Sequence, residues 1–228
     1  MKTFVLGDIH GAYQALIQCF ERSGFDYRQD RLIVLGDVCD GYPQVRESID
    51  ELLKVKQCDY LIGNHDLWAL NWATSGVKEN IWTSQGGQST IASYGQQRMP
   101  QSHIDFLKGA RSWLEFEKRL FVHGGFDPRK TLAGQSLQTL VWDRTLLEQA
   151  WKKHLSGEDY LFGGFEEIYV GHTTTETFHS LKPLQLCNIW MLDTGAGWSG
   201  KLSLMDIHTK QFWQSDLTPE LYKGIQPR

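Results

Sequence analysis

The sequence predicts an α/β protein built from two packed, mixed β-sheets with helices on the outside. Two observations lead to this fold class. In the first third, short apolar runs alternate with segments of helical spacing, a rhythm typical of layered α/β folds. In the second half, several apolar runs end in polar turns, which predicts strands. A chain of 228 residues can bury one large core, so we expect a single domain over residues 1–228.

The first third contains three predicted strand–helix pairs. The predicted strands are 3–6, 31–36 and 59–66, the last running into a loop, and the predicted helices are 12–25, 42–56 and 67–76. In such sheets, ligand sites form at the carboxyl ends of the strands. We therefore expect the loops that follow the three strands to meet in space.

The remainder of the chain is predicted to be mostly strands. Residues 77–118 are more polar and less regular, and within them WTSQGGQSTIASYG (82–95) predicts a turn that leads into a short helix. Four later segments have strand character: 119–125, 167–173, 187–195 and 201–207.

Composition excludes several classes of protein. Hydrophobic residues make up 41% and charged residues 22%, and the net charge of -4 argues against nucleic acid or an anionic membrane as a bulk partner. No apolar run approaches the roughly 20 residues of a membrane span, and the N-terminus is charged too early for a signal peptide. The four cysteines are scattered without a CxxC pair, which favours reduced thiols and a cytoplasmic protein. Nothing in the sequence indicates an oligomeric state.

Polar residues follow five apolar runs in a repeated design, each beside glycine. The motifs are GDIHG (7–11), GD (36–37), GNHD (63–66), HGG (123–125) and GHT (171–173). Each alone is a weak signal, since G-D turns and strand-end histidines are common. Pooled, they offer more carboxylate, imidazole and amide groups than one tetrahedral site needs, and such ligands suit Mn²⁺, Fe²⁺ or Zn²⁺. The set predicts two divalent ions that clamp the oxygens of an in-line displacement.

In this order, GDIHG … GDVCD … GNHD … HGG … GHT resembles the signature of the PPP metallophosphoesterases, which include Ser/Thr protein phosphatases and dinucleoside tetraphosphatases. The resemblance extends from Asp8 to about Asp206, because 82–95, VWDR (141–144) and LDTGAGWSGKLSLMDI (192–207) are also similar to segments of that family. It implies the calcineurin-like β-sandwich fold.

The resemblance also implies a role for each site residue. Asp8 and His10 would bind one metal, Asp37 would bridge both, and the second metal would take Asn64, His123 and His172. The expected ions are Mn²⁺, with Fe²⁺, Zn²⁺ or Ni²⁺ as alternatives. The catalytic groups implied are His65, as general acid for the leaving group, and Asp40, as the carboxylate that orients it. A hydroxide that bridges the metals would attack phosphorus in line.

One family residue is missing. The family pattern is G-D-x-x-D-R-G, in which the arginine binds phosphate, and this chain has Gly41 in its place. Phosphoryl oxygens still need cationic donors, and arginine offers a bidentate fit. Two residues are predicted to supply it: Arg144, within the family-like VWDR, and Arg46, just beyond the vacancy.

The expected activity is hydrolysis of phosphomonoesters in a phosphoprotein or small phosphoester, with phosphoserine and phosphothreonine in first place and phosphotyrosine left open. The alternative is a dinucleoside tetraphosphatase or an RNA 5′-end pyrophosphatase. Asp66, where protein phosphatases often have Glu, slightly favours that alternative. The closing segment 192–207 and the chain length favour the protein phosphatases instead. A non-enzymatic scaffold is a third reading, which the complete metal set argues against.

Overall fold

The structure, a computed structural model, describes residues 1–95, 97–158 and 160–225. It contains two five-stranded mixed sheets, as predicted. Strands β1 to β10, in chain order, are Thr3–Leu6, Arg31–Val34, Gln57–Tyr60, Trp113–Phe116, Arg119–Val122, Glu167–Val170, Leu184–Leu186, Ile189–Met191, Ser203–Asp206 and Phe212–Gln214.

The first sheet has the order β10-β9-β1-β2-β3, and the second has the order β4-β5-β6-β8-β7. Strands β1, β2 and β3 run parallel, as do β5, β6 and β8, while the remaining pairings are antiparallel. Each sheet therefore has a parallel centre, and its carboxyl edge is where loops carrying polar residues can gather.

The helices lie outside the sheets and are mostly short. In chain order, α1 to α9 are Tyr13–Ser23, Val45–Leu52, Asn64–Ser75, Asn80–Trp82, Gln88–Ser93, Gln101–Lys108, Leu137–Trp142, Thr145–Leu155 and Thr218–Leu221. A π-helical turn, Thr83–Gly87, joins α4 to α5, and 3-10 turns lie at Leu132–Gly134 and Thr175–Phe178.

Three layers of apolar packing hold the sheets and helices together. Between the sheets, Val5 and Ile33 of the first sheet share a fully buried cluster with Phe121 and Tyr169 of the second. Because successive side chains of a strand point to opposite faces, Phe4 instead packs with α1 and α2 in an outer cluster. Strand β1 is thus covered on both faces, which explains its unbroken apolar run.

Two sequence expectations needed correction. Asn64 and His65 were expected in a loop before a helix at 67–76, but α3 begins at Asn64, because the Asp66 carboxylate accepts the Gly63 N–H at 2.9 Å and caps the first turn. The second half was expected to be strands, yet it also contains α7, α8 and the short α9. The second of these buries Leu146, Leu147 and Ala150 against the second sheet.

Within the described part of the chain, no helix has the length and apolar character of a membrane span. All four cysteines belong to that part, and none is in a disulfide. The assignment of residues 1–228 to one domain and the cytoplasmic location stay predictions.

Candidate active site

Six side chains predicted as metal ligands come together where the loops after β1, β2, β5 and β6 meet the start of α3. Two groups have ligand atoms that all lie within 4.8 Å of one another: Asp8, His10 and Asp37 form one, and Asp37, His123 and His172 form the other. Asp37 belongs to both groups, so its carboxylate lies between two places where a cation would fit.

Hydrogen bonds fix the tautomers of two of these histidines. His10 Nδ1 donates to Cys39 O at 2.9 Å, and His123 Nδ1 donates to Leu35 O at 2.7 Å. A carbonyl can only accept, so the proton of each neutral ring is on Nδ1 and the Nε2 lone pair faces the site. Metal-binding histidines are typically held in this way.

Several polar atoms in the site have contacts that a cation would complete. His123 Nε2 lies 3.0 Å from Asn64 Oδ1 and 3.4 Å from Asp37 Oδ2. All three atoms are acceptors when His123 is neutral, so either a proton or a metal ion has to lie between them. Among the described residues, the buried atoms without a hydrogen-bond partner include Asp8 Oδ1 and His172 Nε2. Buried polar atoms rarely stay unpaired. The residues therefore fit two divalent cations.

The electrostatics of the site agree with a cation between the two groups. Burial alone would lower the pKa of His123, but the carboxylates of Asp37 and Asp8 raise it to about 10. Burial and the neighbouring His123 lower the pKa of His172 to about 3, so its ring is a neutral ligand. Burial and the nearby Asp193 raise the pKa of Asp8. The raised pKa values of His123 and Asp8 show that the clustered carboxylates create a region that favours positive charge.

The backbone at the site is strained. His10, Asp37, Asp40 and His172 all have left-handed φ values, between 49° and 71°. Such values are costly for residues with a side chain and occur most often at functional sites.

His65 and Asp40 form the predicted pair. His65 Nδ1 lies 2.6 Å from Asp40 Oδ2, and both side chains are almost fully buried. His65 lines the cavity described below, beside His10, at a ring distance of 5.0 Å. With Nδ1 engaged by the carboxylate, Nε2 is the nitrogen able to exchange a proton with a bound molecule.

Asp66 has a structural role that the sequence did not reveal. Its carboxylate accepts the backbone N–H groups of Asp37, Val38 and Cys39 at 2.8–3.2 Å and the Tyr60 hydroxyl at 2.6 Å. It therefore shapes the loop that carries Asp37. From the sequence, Asp66 indicated only a possible substrate class. Its bonds to backbone amides could not be predicted, because every residue other than proline has such an amide.

The structure explains why position 41 has no arginine. Gly41 has a φ of +78°, and a Cβ there would lie 2.9 Å from His10 O. A side chain would thus be strained and would collide with backbone. Arg144 is exposed and lines the cavity, whereas Arg46 does not: its Nε lies 3.9 Å from Asp50 Oδ2, and its side chain is 52% exposed.

The metal-ligand groups open into a cavity of about 260 Å³. It is lined by His10, Asp37, Asn64, His65, Gln85, Trp142, Arg144, His172, Thr173, Thr174, Thr177, Asp193 and Trp198. Sequence reasoning had not assigned a role to Gln85, the threonines or Asp193. Asp193 opens the D-T-G-A run, so the similarity of that run was the one available signal.

Residues 1–180 match the family model described as calcineurin-like phosphoesterase. The chain belongs to this family. The resemblance seen in the sequence is confirmed, and this phosphoesterase is a metal-dependent hydrolase of a family that uses a dimetal centre.

Curated relatives of this phosphoesterase include two kinds of enzyme. It is 24% identical over 212 residues to Serine/threonine-protein phosphatase 1 of Salmonella typhimurium, covering 90% of this chain and 91% of that protein. It is 21% identical over 175 residues to the symmetrical bis(5′-nucleosyl)-tetraphosphatase of Nitrosomonas europaea, covering 70% of this chain and 63% of that protein.

Among solved structures, the fold resembles a chain described provisionally as a diadenosine tetraphosphatase. The TM-score is 0.69 at 14% identity, with 93% of this chain and 92% of that chain covered. The match confirms the predicted calcineurin-like sandwich.

Proposed function

We propose that this phosphoesterase hydrolyses phosphomonoesters, with phosphoserine and phosphothreonine of proteins as its main substrates and phosphotyrosine left open. The observation that supports this is the buried His65–Asp40 pair, 2.6 Å apart, on the wall of the metal-ligand cavity. A serine or threonine alkoxide is a strong base and a poor leaving group, so it gains greatly from an acid. A nucleoside polyphosphate leaves as a stabilised anion and gains less.

Each side chain has a role in this proposal. Asp8, His10, Asp37, Asn64, His123 and His172 hold two divalent cations, with Mn²⁺ as the expected ion. When bound, the cations supply the Lewis acidity that activates water and neutralises phosphate oxygens. Asp40 keeps the Nδ1 proton of His65 in place, and His65 donates the proton at Nε2 to the leaving oxygen.

Arg144 is the proposed phosphate-binding cation. It lies on the cavity beside His172, and it has no ion-pair partner within the described ranges. A guanidinium in this position would bind two phosphoryl oxygens at once. Arg46, which was predicted for the same role, lies outside the cavity lining.

A dinucleoside tetraphosphatase is the second candidate, because Trp198 lines the cavity and is 46% exposed. An exposed indole next to a phosphate site could stack on a nucleobase.

Parallel assays on one preparation separate the two candidates. The Mn²⁺-loaded enzyme is given a phosphoserine peptide or diadenosine tetraphosphate, and His65→Ala is assayed beside the wild type. The proposal predicts a higher kcat/KM for the peptide and a larger loss on the peptide in His65→Ala. A higher kcat/KM for the tetraphosphate, together with a Trp198→Ala defect confined to it, would replace the proposal with the second candidate.

A further inference from the structure

The segment 82–90, WTSQGGQST, has no role in the proposed chemistry, yet it contacts the carboxylate behind the acid. Asp40 is fully buried. Trp82 Nε1 lies 2.9 Å from both carboxylate oxygens, and the Thr90 hydroxyl donates to Oδ1 at 2.6 Å. The backbone N–H of Asp40 also donates to Thr90 Oγ1 at 2.8 Å. Two side chains of one short segment thus converge on a single carboxylate.

The fold of this segment explains its two glycines. The π-helical turn between α4 and α5 bends at Gly86, where φ is 98°, a value open to glycine. At Gly87, a Cβ would lie 2.5–2.6 Å from the Trp82 ring, so only glycine admits the indole. The bend brings the indole N–H and the Thr90 hydroxyl to the same side of the segment.

The two carboxylate oxygens have separate partners. Thr90 binds Oδ1, His65 Nδ1 binds Oδ2, and the indole N–H lies between both oxygens. With Oδ1 held by a hydroxyl, the carboxylate cannot rotate about its Cβ–Cγ bond without losing hydrogen bonds in a buried place, which is costly. Burial raises the pKa of Asp40, and the contacts from His65, Thr90 and Trp82 oppose that rise.

We propose that Trp82 and Thr90 are positioning residues for the reaction: they fix the Asp40 carboxylate, and through it the ring of His65, so that Nε2 faces the leaving group. This inference rests on the acid role proposed for His65. A residue that acts through an acid affects poor leaving groups most, because good ones depart without a proton. A purely structural contact would not distinguish between leaving groups.

The test compares phenyl phosphate, with the poorer leaving group, and p-nitrophenyl phosphate. Thr90→Val removes the hydroxyl but keeps the shape, Thr90→Ser keeps the hydroxyl, and Trp82→Phe removes the indole N–H. Thr218→Val is the matched control, because Thr218 is also fully buried and donates to a backbone carbonyl, that of Gly200, but does not line the cavity. Metal content and unfolding are measured for each variant.

For Thr90→Val and Trp82→Phe we expect kcat on phenyl phosphate to fall roughly 10- to 100-fold at nearly constant KM, and the fall on p-nitrophenyl phosphate to be smaller. Thr90→Ser should restore most of the loss, and Thr218→Val should affect both substrates alike. Equal falls on both substrates in Thr90→Val, or a failure of Thr90→Ser to restore the loss, would overturn the inference.

Two further readouts separate this inference from the acid role. If His65→Ala loses the same activity on both substrates, the acid role is wrong and the inference is wrong with it. If His65→Ala loses more activity on phenyl phosphate but the Thr90 and Trp82 variants do not, only the inference is wrong. In metal-free protein, the His65 Nδ1–H proton resonance, assigned by its loss in His65→Ala, should move upfield or broaden in Thr90→Val but not in Thr218→Val. An unmoved resonance would contradict the inference.

Discussion

At the scale of single residues, the site depends on a few carboxylates that each hold several partners. Asp37 shows this most clearly: one oxygen accepts the His65 N–H at 3.0 Å, and the other lies 3.6 Å from His10 Nε2 and 3.4 Å from His123 Nε2. Burial alone would raise the pKa of Asp37, but the histidines around it lower it far below its usual range. It is therefore an anion, as a carboxylate shared by two cations would have to be.

Asp37→Asn should abolish binding of both metal ions and, with it, turnover. The amide has the same shape but lacks the charge that two cations require. Metal content after dialysis against Mn²⁺, measured by plasma mass spectrometry, checks this. Asp50→Asn is the matched control, since Asp50 is 53% exposed and outside the cavity. An Asp37→Asn variant that still binds two ions would contradict the bridging role.

Arg144→Ala should raise KM for a phosphomonoester about tenfold or more while kcat changes less, because a cation that binds phosphate is lost from the cavity. Arg46→Ala should leave KM nearly unchanged. Initial rates over a range of phosphoserine peptide concentrations give both values. A larger KM effect from Arg46→Ala would instead support the role first predicted for that residue.

The sequence predicted the site residues that are polar side chains at the end of a strand. It did not predict the contacts that residues make with backbone atoms. Asp8, Asp37 and His123 could be predicted because a polar residue beside glycine follows each apolar run. The hydrogen bonds of Asp66 to three loop amides could not, since any residue supplies an amide. The collision that excludes a side chain at Gly41 likewise depends on the position of His10 in space.

At the scale of elements, periodicity predicted the central strands and α1 well. The start of α3 was missed because the predicted strand 59–66 was expected to run into a loop, whereas Asp66 caps the helix from within. Helix α8, with the sequence TLLEQAWKKHL, lies between the predicted strands 119–125 and 167–173, in a stretch for which no element was predicted. The turn and short helix predicted within 82–95 are confirmed as a π-helical turn and α5.

Gly87→Ala should destabilise the protein by about 1–3 kcal/mol, because the added methyl group meets the Trp82 ring in a packed place. Gly87 has a φ of -60°, so backbone strain is not involved. Urea unfolding of wild type and variant measures the difference, with the exposed Gly134→Ala as control. A variant as stable as wild type would show that the segment tolerates a shifted indole.

At the scale of the whole molecule, one ion-pair cluster links the two sheets away from the site. Glu167 of β6 lies 2.6 Å from Lys210, in the turn between β9 and β10, and 2.6 Å from Arg119 Nε of β5. Its side chain is 17% exposed. Burial alone would raise the pKa of Glu167, but the hydrogen bonds from Lys210 and Arg119 lower it below 4.5.

Glu167→Gln should therefore lower the free energy of unfolding by about 1–3 kcal/mol near neutral pH. The folded-state pKa lies below the unfolded value, so the stabilisation is complete above about pH 4.5 and is lost as pH falls through the folded pKa. Urea unfolding from pH 7 down to about pH 3 checks whether the difference in unfolding free energy between wild type and variant narrows below about pH 4.5. Glu166→Gln, which removes an exposed pair with Lys118, is the control and should have no measurable effect. A difference in unfolding free energy that does not change with pH would contradict stabilisation by the ionised Glu167 carboxylate.

The most direct test of the central claim is turnover of p-nitrophenyl phosphate as a function of Mn²⁺ bound per chain. We expect no turnover by metal-free protein, a rise that saturates at about two ions per chain, and no turnover in Asp37→Asn at any Mn²⁺ concentration. Turnover at the full rate by protein freed of metal, or saturation at a single ion, would contradict hydrolysis by a two-metal site built around Asp37.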